Sequence, residues 1–225
     1  MMPKDQKIAI FGDNEYAISM ILETLSTIYR HALDIPIIIN REFKPKDSFN
    51  EGQHNTFLMD EADFIEHTNV FGYLAGMSPA SRSFLFYRYQ NGTLNLTFPA
   101  LIHPSSVLPH QIQLGQAVRI EPNVTIAPFV KIGIGVLINR GVIIGHHTTI
   151  GDFVNLNPGA IINGNCHIGT GTTIGSGAII NDKIKIGNNS VIGSGAIVTK
   201  DIPDQVVAFG QPAKIIKENK EIIIW

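Results

Sequence analysis

From Leu108 onward every sixth residue is aliphatic: Leu108, Leu114, Ile120, Ile126, Ile132, Ile138, Ile144, Ile150, Leu156, Ile162, Ile168, Ile174, Ile180, Ile186, Ile192 and Val198. The position after each favours Gly or Asn (Gly115, Gly133, Asn139, Gly145, Gly151, Asn157, Asn163, Gly169), residue types that tolerate positive φ and are expected to form corners. Four residues after each aliphatic stands a small or β-branched side chain, such as Val118, Val124, Val136, Thr148, Ala160 and Cys166. A period of six in this form predicts a parallel β-helix, in which three short strands and three corners complete one coil. Residues eighteen apart then stack, so Leu108, Ile126, Ile144, Ile162, Ile180 and Val198 should form one interior column. Residues 108–203 give about five coils, a prism roughly 25 Å tall at the spacing of paired strands.

The preceding residues follow another pattern. Lys7–Gly12 is an apolar strand ending in glycine, and Asn14–Arg30 a helix with Ile18, Ile21, Leu22 and Leu25 on one face. Ile35–Asn40 is a second strand, Arg41–Asn55 a polar loop, and Val70–Gly76 a third strand. Pro79–Tyr89 is a helix opened by Ser78, and Leu94–Leu101 a last strand leading into the prism. Alternating strand and helix predicts a small Rossmann-like α/β domain over residues 1–102, followed by the β-helix and a tail over 103–225. A ligand of such a sheet lies at the carboxyl ends of its strands, which places a candidate pocket at Gly12–Tyr16, Asn40–Arg41 and Gly76–Ser78.

Composition narrows the function. With 17 Lys+Arg against 19 Asp+Glu and no basic block, the chain is not expected to bind nucleic acid, a contact made chiefly by neutralising phosphates. The single Cys166 cannot form an intrachain disulfide, and the opening MMPKDQKIAIFG has no long apolar run with a cleavage site. No stretch nears the ~18 consecutive apolar residues of a membrane span. The expectation is a soluble, cytoplasmic protein without a membrane partner.

Most polar residues on a β-helix serve its walls and corners. Asn139 with Asn157, and Asn163 with Asn181, stack at corners; Thr148, Thr149, Thr170, Thr172 and Thr173 suit strands; Cys166 falls at a small inward position. His31, His54, His67, His103 and His110 are scattered. His146 and His147 differ, lying mid-prism among glycines and small residues. A zinc site needs further histidines close by, and the next is His167, so no metal is expected. A neutral imidazole remains suited to taking a proton from an attacking amine or hydroxyl. No nucleophile elbow interrupts the prism.

The stretches NRGVIIGHHTTIGDFVNLNPGAIINGNCHIG (139–169), SVIGSGAIVTKDIP (190–203) and FGQPAKII (209–216) resemble those of bacterial left-handed β-helix sugar acyltransferases. The likeness is strongest to the nucleotide-sugar N-acetyltransferases that act on UDP-4-amino sugars or GDP-perosamine for surface glycans such as lipopolysaccharide. The resemblance implies the left hand of the helix, a homotrimer, acetyl-CoA as co-substrate and His146 as general base. Asn139 then matches the family's asparagine one repeat before the base. A second family histidine falls on Asn155, which can donate a hydrogen bond but cannot exchange protons. The acidic residue that commonly follows the base is His147 here, leaving Asn139 or a backbone carbonyl to orient the imidazole. Backbone N–H groups near Gly164, Ser176 and Ser194 are implied to hold the pantetheine arm of coenzyme A, with Lys214 near its phosphates. Gly12, Asn14, Asn40, Arg41, Gly76 and Ser78 are the implied nucleotide-sugar contacts, although Gly12-Asp-Asn-Glu-Tyr-Ala17 keeps only one glycine of the family's turn.

His146 and Asn155 are nine residues apart, half a coil, and so lie on different sides of one prism. They can share a cleft only where prisms pack side by side about a three-fold axis. Two alternatives stand beside the N-acetyltransferase reading: an O-acetyltransferase acting on a sugar hydroxyl, and a non-catalytic trimeric module.

Overall fold

The computed structural model describes residues 7–29, 32–39, 54–60, 63–64, 69–90 and 96–220. Strands β1 (Lys7–Phe11), β2 (Asp34–Ile39), β3 (Asn55–Asp60), β4 (Val70–Leu74) and β5 (Leu96–Thr97) form a parallel sheet in the order β3-β2-β1-β4-β5. Strand order reverses at β1, the switch point at which open α/β sheets bind ligands. Helix α1 (Glu15–Ile28) starts where the Asn14 side chain accepts from the Ala17 N–H at 2.9 Å. It buries Ala17, Ile18, Ile21, Leu22 and Leu25 against the sheet. Helix α2 (Pro79–Gln90) is capped by Ser78, whose Oγ accepts from the Ser81 N–H while the Ser81 Oγ accepts from the Ser78 N–H.

Two sequence expectations change here. β3 is an additional strand; it pairs with β2 alone at the sheet edge and leaves Phe57 and Leu58 exposed, so it lacks the alternation that marks a half-buried strand. The single strand expected over Leu94–Leu101 divides into β5 in the sheet and Leu101–Ile102 in the prism, with Pro99 between them unable to donate to a ladder. Asn40, Arg41 and most of the expected 41–55 loop lie outside the described residues.

The second half is a left-handed parallel β-helix of three faces. The first, called here the docking face, stacks Leu101–Ile102, Arg119–Ile120, Leu137–Ile138, Asn155–Leu156, Thr173–Ile174 and Val191–Ile192. The second, the isoleucine face, stacks Thr125–Ile126, Ile143–Ile144, Ile161–Ile162, Ile179–Ile180 and Ile197–Val198. The third, the polar face, runs from Ile112–Leu114 to Lys185–Ile186. Registers on the isoleucine face pair Ile126, Ile144, Ile162, Ile180 and Val198 in the predicted column. With the small side chains four residues on, these aliphatics fill the prism. An antiparallel hairpin, Val206–Gly210 with Ala213–Glu218, continues the docking face.

The corner chemistry differs from expectation. Positive φ recurs every six residues at Ala117, Asn123, Phe129, Gly135, Gly141, His147, Phe153, Gly159, Asn165, Gly171, Gly177, Lys183, Asn189 and Gly195, three positions after each aliphatic rather than one. The glycines immediately after the aliphatics answer a packing demand instead. A Cβ on Gly145 would lie 2.5 Å from the Asn163 carbonyl carbon and the Gly164 nitrogen, and one on Gly169 would lie 2.5 Å from the Asn188 nitrogen. At these glycines the stacked coils leave no room for a side chain, whereas Asn139, Asn157, Asn163 and Asn181 carry one at the same position of other repeats.

The amino-terminal sheet packs on the docking face. Phe11, Phe86 and Phe98 cluster with Phe153 of the prism. Arg82 of α2 is 1% exposed and donates from Nε to the Gly135 carbonyl at 2.7 Å, and from its terminal nitrogens to the carbonyls of Met77, Phe153 and Val154. Burial and the nearby Arg119 lower its pKa to about 9, which keeps it a cation at neutral pH.

Gly169→Ala should lower unfolding free energy by about 1–3 kcal/mol through overpacking between coils. At Gly177, where φ is +65° and nothing stands within 4 Å of a Cβ, alanine should cost about 1–2 kcal/mol of local strain, felt by the corner rather than by coil spacing. Urea denaturation with hydrogen exchange across the repeats separates the two effects.

Candidate functional site

Each coil has three corners, and their backbone N–H groups are treated differently. Between the polar and docking faces, the N–H two residues after the aliphatic is taken by a side chain one coil above. Ile134 donates to Asp152 Oδ1 at 2.7 Å, Asp152 to Thr170 Oγ1, Thr170 to Asn188 Oδ1, and Asn188 to Asp204 Oδ1. At the two corners flanking the isoleucine face the equivalent N–H groups of His146, Gly164, Ser176 and Ser194 have no acceptor among the described residues. An unpaired donor is costly only when kept from water or ligand, so the isoleucine face is bordered by two rows of N–H groups open to an incoming carbonyl.

His146 and Gly164 share one of these corners, between the isoleucine and polar faces. The imidazole lies on the backbone of the next coil: a Cβ on Gly164 would sit 2.9 Å from His146 Nε2 and 3.1 Å from Asp182 Oδ1. A side chain at 164 would displace the ring from this seat. His146 Nδ1 is 3.1 Å from His147 Nδ1, and the His147 ring packs on Phe129 with centroids 4.8 Å apart. Asn139 stands on the other corner, between docking and isoleucine faces, where its Oδ1 accepts from the Arg140 N–H. Within one chain Asn139 and His146 thus stand on different corners, and the side chain beside His146 Nδ1 is His147.

Ser176 and Ser194 stack one coil apart on the same corner as Asn139. The hairpin closes that row from above, with Gln211 donating to the Gly195 carbonyl at 2.8 Å and exposed Lys214 paired opposite Phe209. Asn155 is 8% exposed on the docking face, and its Nδ2 donates to the Met77 carbonyl at 2.9 Å. It ties the Gly76–Ser78 loop to the prism and leaves its own Oδ1 buried without a partner.

That loop also borders a cavity of about 500 Å³ at the carboxyl ends of β1, β2 and β4. Gly12, Asn14, Gly76 and Ser78 line it together, with Ile38, Phe84, Leu85 and Arg88 completing its walls. Gly12 has φ of +115°, and a Cβ there would press on the Leu85 side chain at 3.0 Å and the Ala75 carbonyl at 3.3 Å, which explains why this glycine of the turn is retained. Asp13 reaches the same rim, an unfavourable neighbour for phosphate. Asn40 and Arg41 lie outside the described residues.

Sequence reasoning missed the residues that hold the loop. Met77 receives Arg82 and Asn155 at its carbonyl and the Arg119 guanidinium at its sulfur, 3.4 Å away. Arg119 is paired with Glu121 at 3.0 Å, both buried; desolvation lowers the pKa of the arginine and raises that of the glutamate. Arg119 and Asn155 interrupt the apolar outward row of the docking face, the trace of this contact in the sequence. Cys166 is buried, its Sγ donating to the Asn181 carbonyl, and burial pushes the thiol pKa up, which suits packing rather than nucleophilic attack. Among the described residues no group of His, Cys, Asp and Glu could hold a metal ion, and no helix is long and apolar enough to cross a membrane.

Comparison with known proteins agrees with this architecture. Residues 147–182 and 165–200 match the family model described as Bacterial transferase hexapeptide (six repeats), so this part of the chain is built of transferase-type hexapeptide repeats. The chain is similar over nearly its whole length to several solved structures. The acetyltransferase domain of PglB from Neisseria gonorrhoeae, in complex with acetyl coenzyme A, superposes with a TM-score of 0.82 at 22% identity over 94% of this chain and 99% of that one. PerB from Caulobacter crescentus, in complex with CoA and GDP-perosamine, gives 0.80 at 22% identity over 96% and 100%. WeeI from Acinetobacter baumannii gives 0.77 at 23% identity over 94% and 100%. At these identities the likeness establishes the fold, both the amino-terminal sheet and the β-helix. A search of the curated proteins finds no matching sequence.

Arg82→Met should destabilise the protein by about 3 kcal/mol or more, because it strands several buried carbonyls at once. Calorimetry should show the loss, and proteolysis should cut first in the released 76–90 segment.

Proposed function

We propose that the protein is an acetyl-CoA-dependent sugar N-acetyltransferase acting on the amino group of a nucleotide-linked deoxyamino sugar. The observation that carries this reading is the seating of His146 Nε2 on Gly164, beside a backbone N–H without an acceptor. A base and an oxyanion donor thus stand side by side on adjacent coils. The neutral sugar amine attacks the thioester carbonyl, and its N–H proton passes to His146 Nε2. The developing oxyanion is held by the Gly164 N–H, a contribution of about 3–4 kcal/mol where such donors are preorganised. Collapse breaks the C–S bond, and the thiolate leaves with a proton as coenzyme A. This route needs no acyl-enzyme and no metal. The GDP-perosamine and acetyl-CoA bound by proteins of the same fold support both substrate classes.

The active assembly is a homotrimer. Outward on the isoleucine face, Ile143, Ile161, Ile179 and Ile197 form an in-register ladder, with Ile143 46% exposed. A flat apolar β-face of this kind fits a second copy of the chain better than water. If three such faces turn toward a common axis, the corner carrying Asn139, Ser176 and Ser194 in one subunit meets the corner carrying His146 and Gly164 in the next. The pantetheine arm then lies along the cleft, Lys214 near its phosphates, and the amino-terminal cavity delivers the sugar past Asn155. The glycan pathway that this serves belongs to surface polysaccharide assembly in the cytoplasm.

Purified protein incubated with acetyl-CoA and UDP-, dTDP- and GDP-linked amino sugars should release free thiol with at least one of them. His146→Ala should lower kcat by about 10²–10⁴-fold with circular dichroism unchanged. Thiol release only with sugars lacking an amine would transfer the assignment to O-acetylation, and none with any acceptor would remove it. Ile161→Glu should convert a trimer in sedimentation to a monomer without acetyl transfer.

A further inference from the structure

We propose that His147 is the positioning residue for His146, its Nδ1 accepting the hydrogen carried by His146 Nδ1 and thereby leaving the His146 Nε2 lone pair free over Gly164. The inference rests on the acetyl-transfer reading and specifies how that site works in this chain. Two ring nitrogens 3.1 Å apart require one hydrogen between them. Two arrangements satisfy the distance. With the hydrogen on His146 Nδ1, Nε2 is a base; with it on His147 Nδ1, His146 carries its proton on Nε2 and cannot accept another there.

His147 is the better fixed partner. It occupies a positive-φ corner at 58°, its N–H donates to the Pro128 carbonyl at 3.2 Å, and its ring lies on exposed Phe129 at an interplanar angle of 34°. His146 meets it edge to face, at 85°. The other charged groups at this corner are Asp182, on the far side of Gly164, and Lys183, whose Nζ pairs with Asp182 at 3.4 Å. No carboxylate touches His146 Nδ1 among the described residues, so its neighbour there is a neutral ring nitrogen.

This arrangement differs from one built on an acidic residue: the acceptor is a neutral ring nitrogen, which supplies a dipole and not the Coulomb attraction of a carboxylate.

Four proteins test this: wild type, His147→Phe, His147→Gln and His147→Glu. Phenylalanine already occupies the equivalent positive-φ corners at 129 and 153, so the first variant is compatible with the coil. His147→Phe should lower kcat on the order of tenfold to a hundredfold with KM for acetyl-CoA little changed. His147→Gln, which keeps an acceptor at this place, should recover most of kcat. His147→Glu, also an acceptor, should likewise recover most of it. Wild-type kcat in His147→Phe, or a change confined to KM, would overturn the proposal. Nitrogen-15 NMR of the imidazoles gives a readout apart from activity: His146 should carry its proton on Nδ1 in the wild type and on Nε2 in His147→Phe. A wild-type His146 protonated on Nε2 contradicts the pairing whether or not an acceptor sugar is acetylated, whereas failure of acetyl transfer with the Nδ1 tautomer intact counts against the function alone.

Discussion

Stacking of successive coils at the spacing of a β-ladder is the constraint from which the other features follow. It brings residues eighteen apart into contact along the whole prism, so one choice of side chain is repeated as a column. Inside, the columns at the sixth positions are aliphatic and buried. At the corners, the spacing leaves no room for a side chain at glycines such as Gly145 and Gly169, and positive φ recurs two residues further on. The same rule that builds the wall thus decides where backbone N–H groups end up and which of them acquire partners.

The contrast among the three corners connects structure to chemistry. One corner closes its hydrogen bonds with a stack of Asp152, Thr170, Asn188 and Asp204. The other two carry Gly164, Ser176 and Ser194, whose N–H groups have no acceptor among the described residues. Between them lies an apolar face that no described residue covers. A hydrophobic strip bordered by open donors is poor as a monomer surface and well suited to a cleft shared by copies. The amino-terminal sheet is fastened on the third side by Arg82, Asn155 and Arg119, all converging on Met77. Its cavity is thereby kept at a fixed distance from the prism edge.

Much of this was legible in the sequence because a strict period survives any local ambiguity. The aliphatic column, the parallel sheet and the meeting of Gly12, Asn14, Gly76 and Ser78 at one cavity all follow from periodicity and strand order. Other features depend on spacing in three dimensions. Glycine after the aliphatic suggested a turn conformation, whereas its cause is the backbone of the next coil, 2.5 Å from any added Cβ at Gly169. Arg82 resembles a surface helix residue until α2 is placed against Gly135 and Phe153, more than fifty residues later. His147 stood out beside His146 as a mid-prism histidine where a carboxylate is common, and the structure places the two ring nitrogens within hydrogen-bonding reach.

The central claim is that each working cleft draws its base from one subunit and its sugar cavity from another. It is tested most directly by mixing two inactive variants, His146→Ala and Asp13→Trp, the second filling the amino-terminal cavity. After unfolding and refolding together in equal amounts, the account predicts recovery of about a quarter of wild-type activity, the share of clefts that pair two intact halves by chance. No recovery from assembled mixed trimers would contradict it.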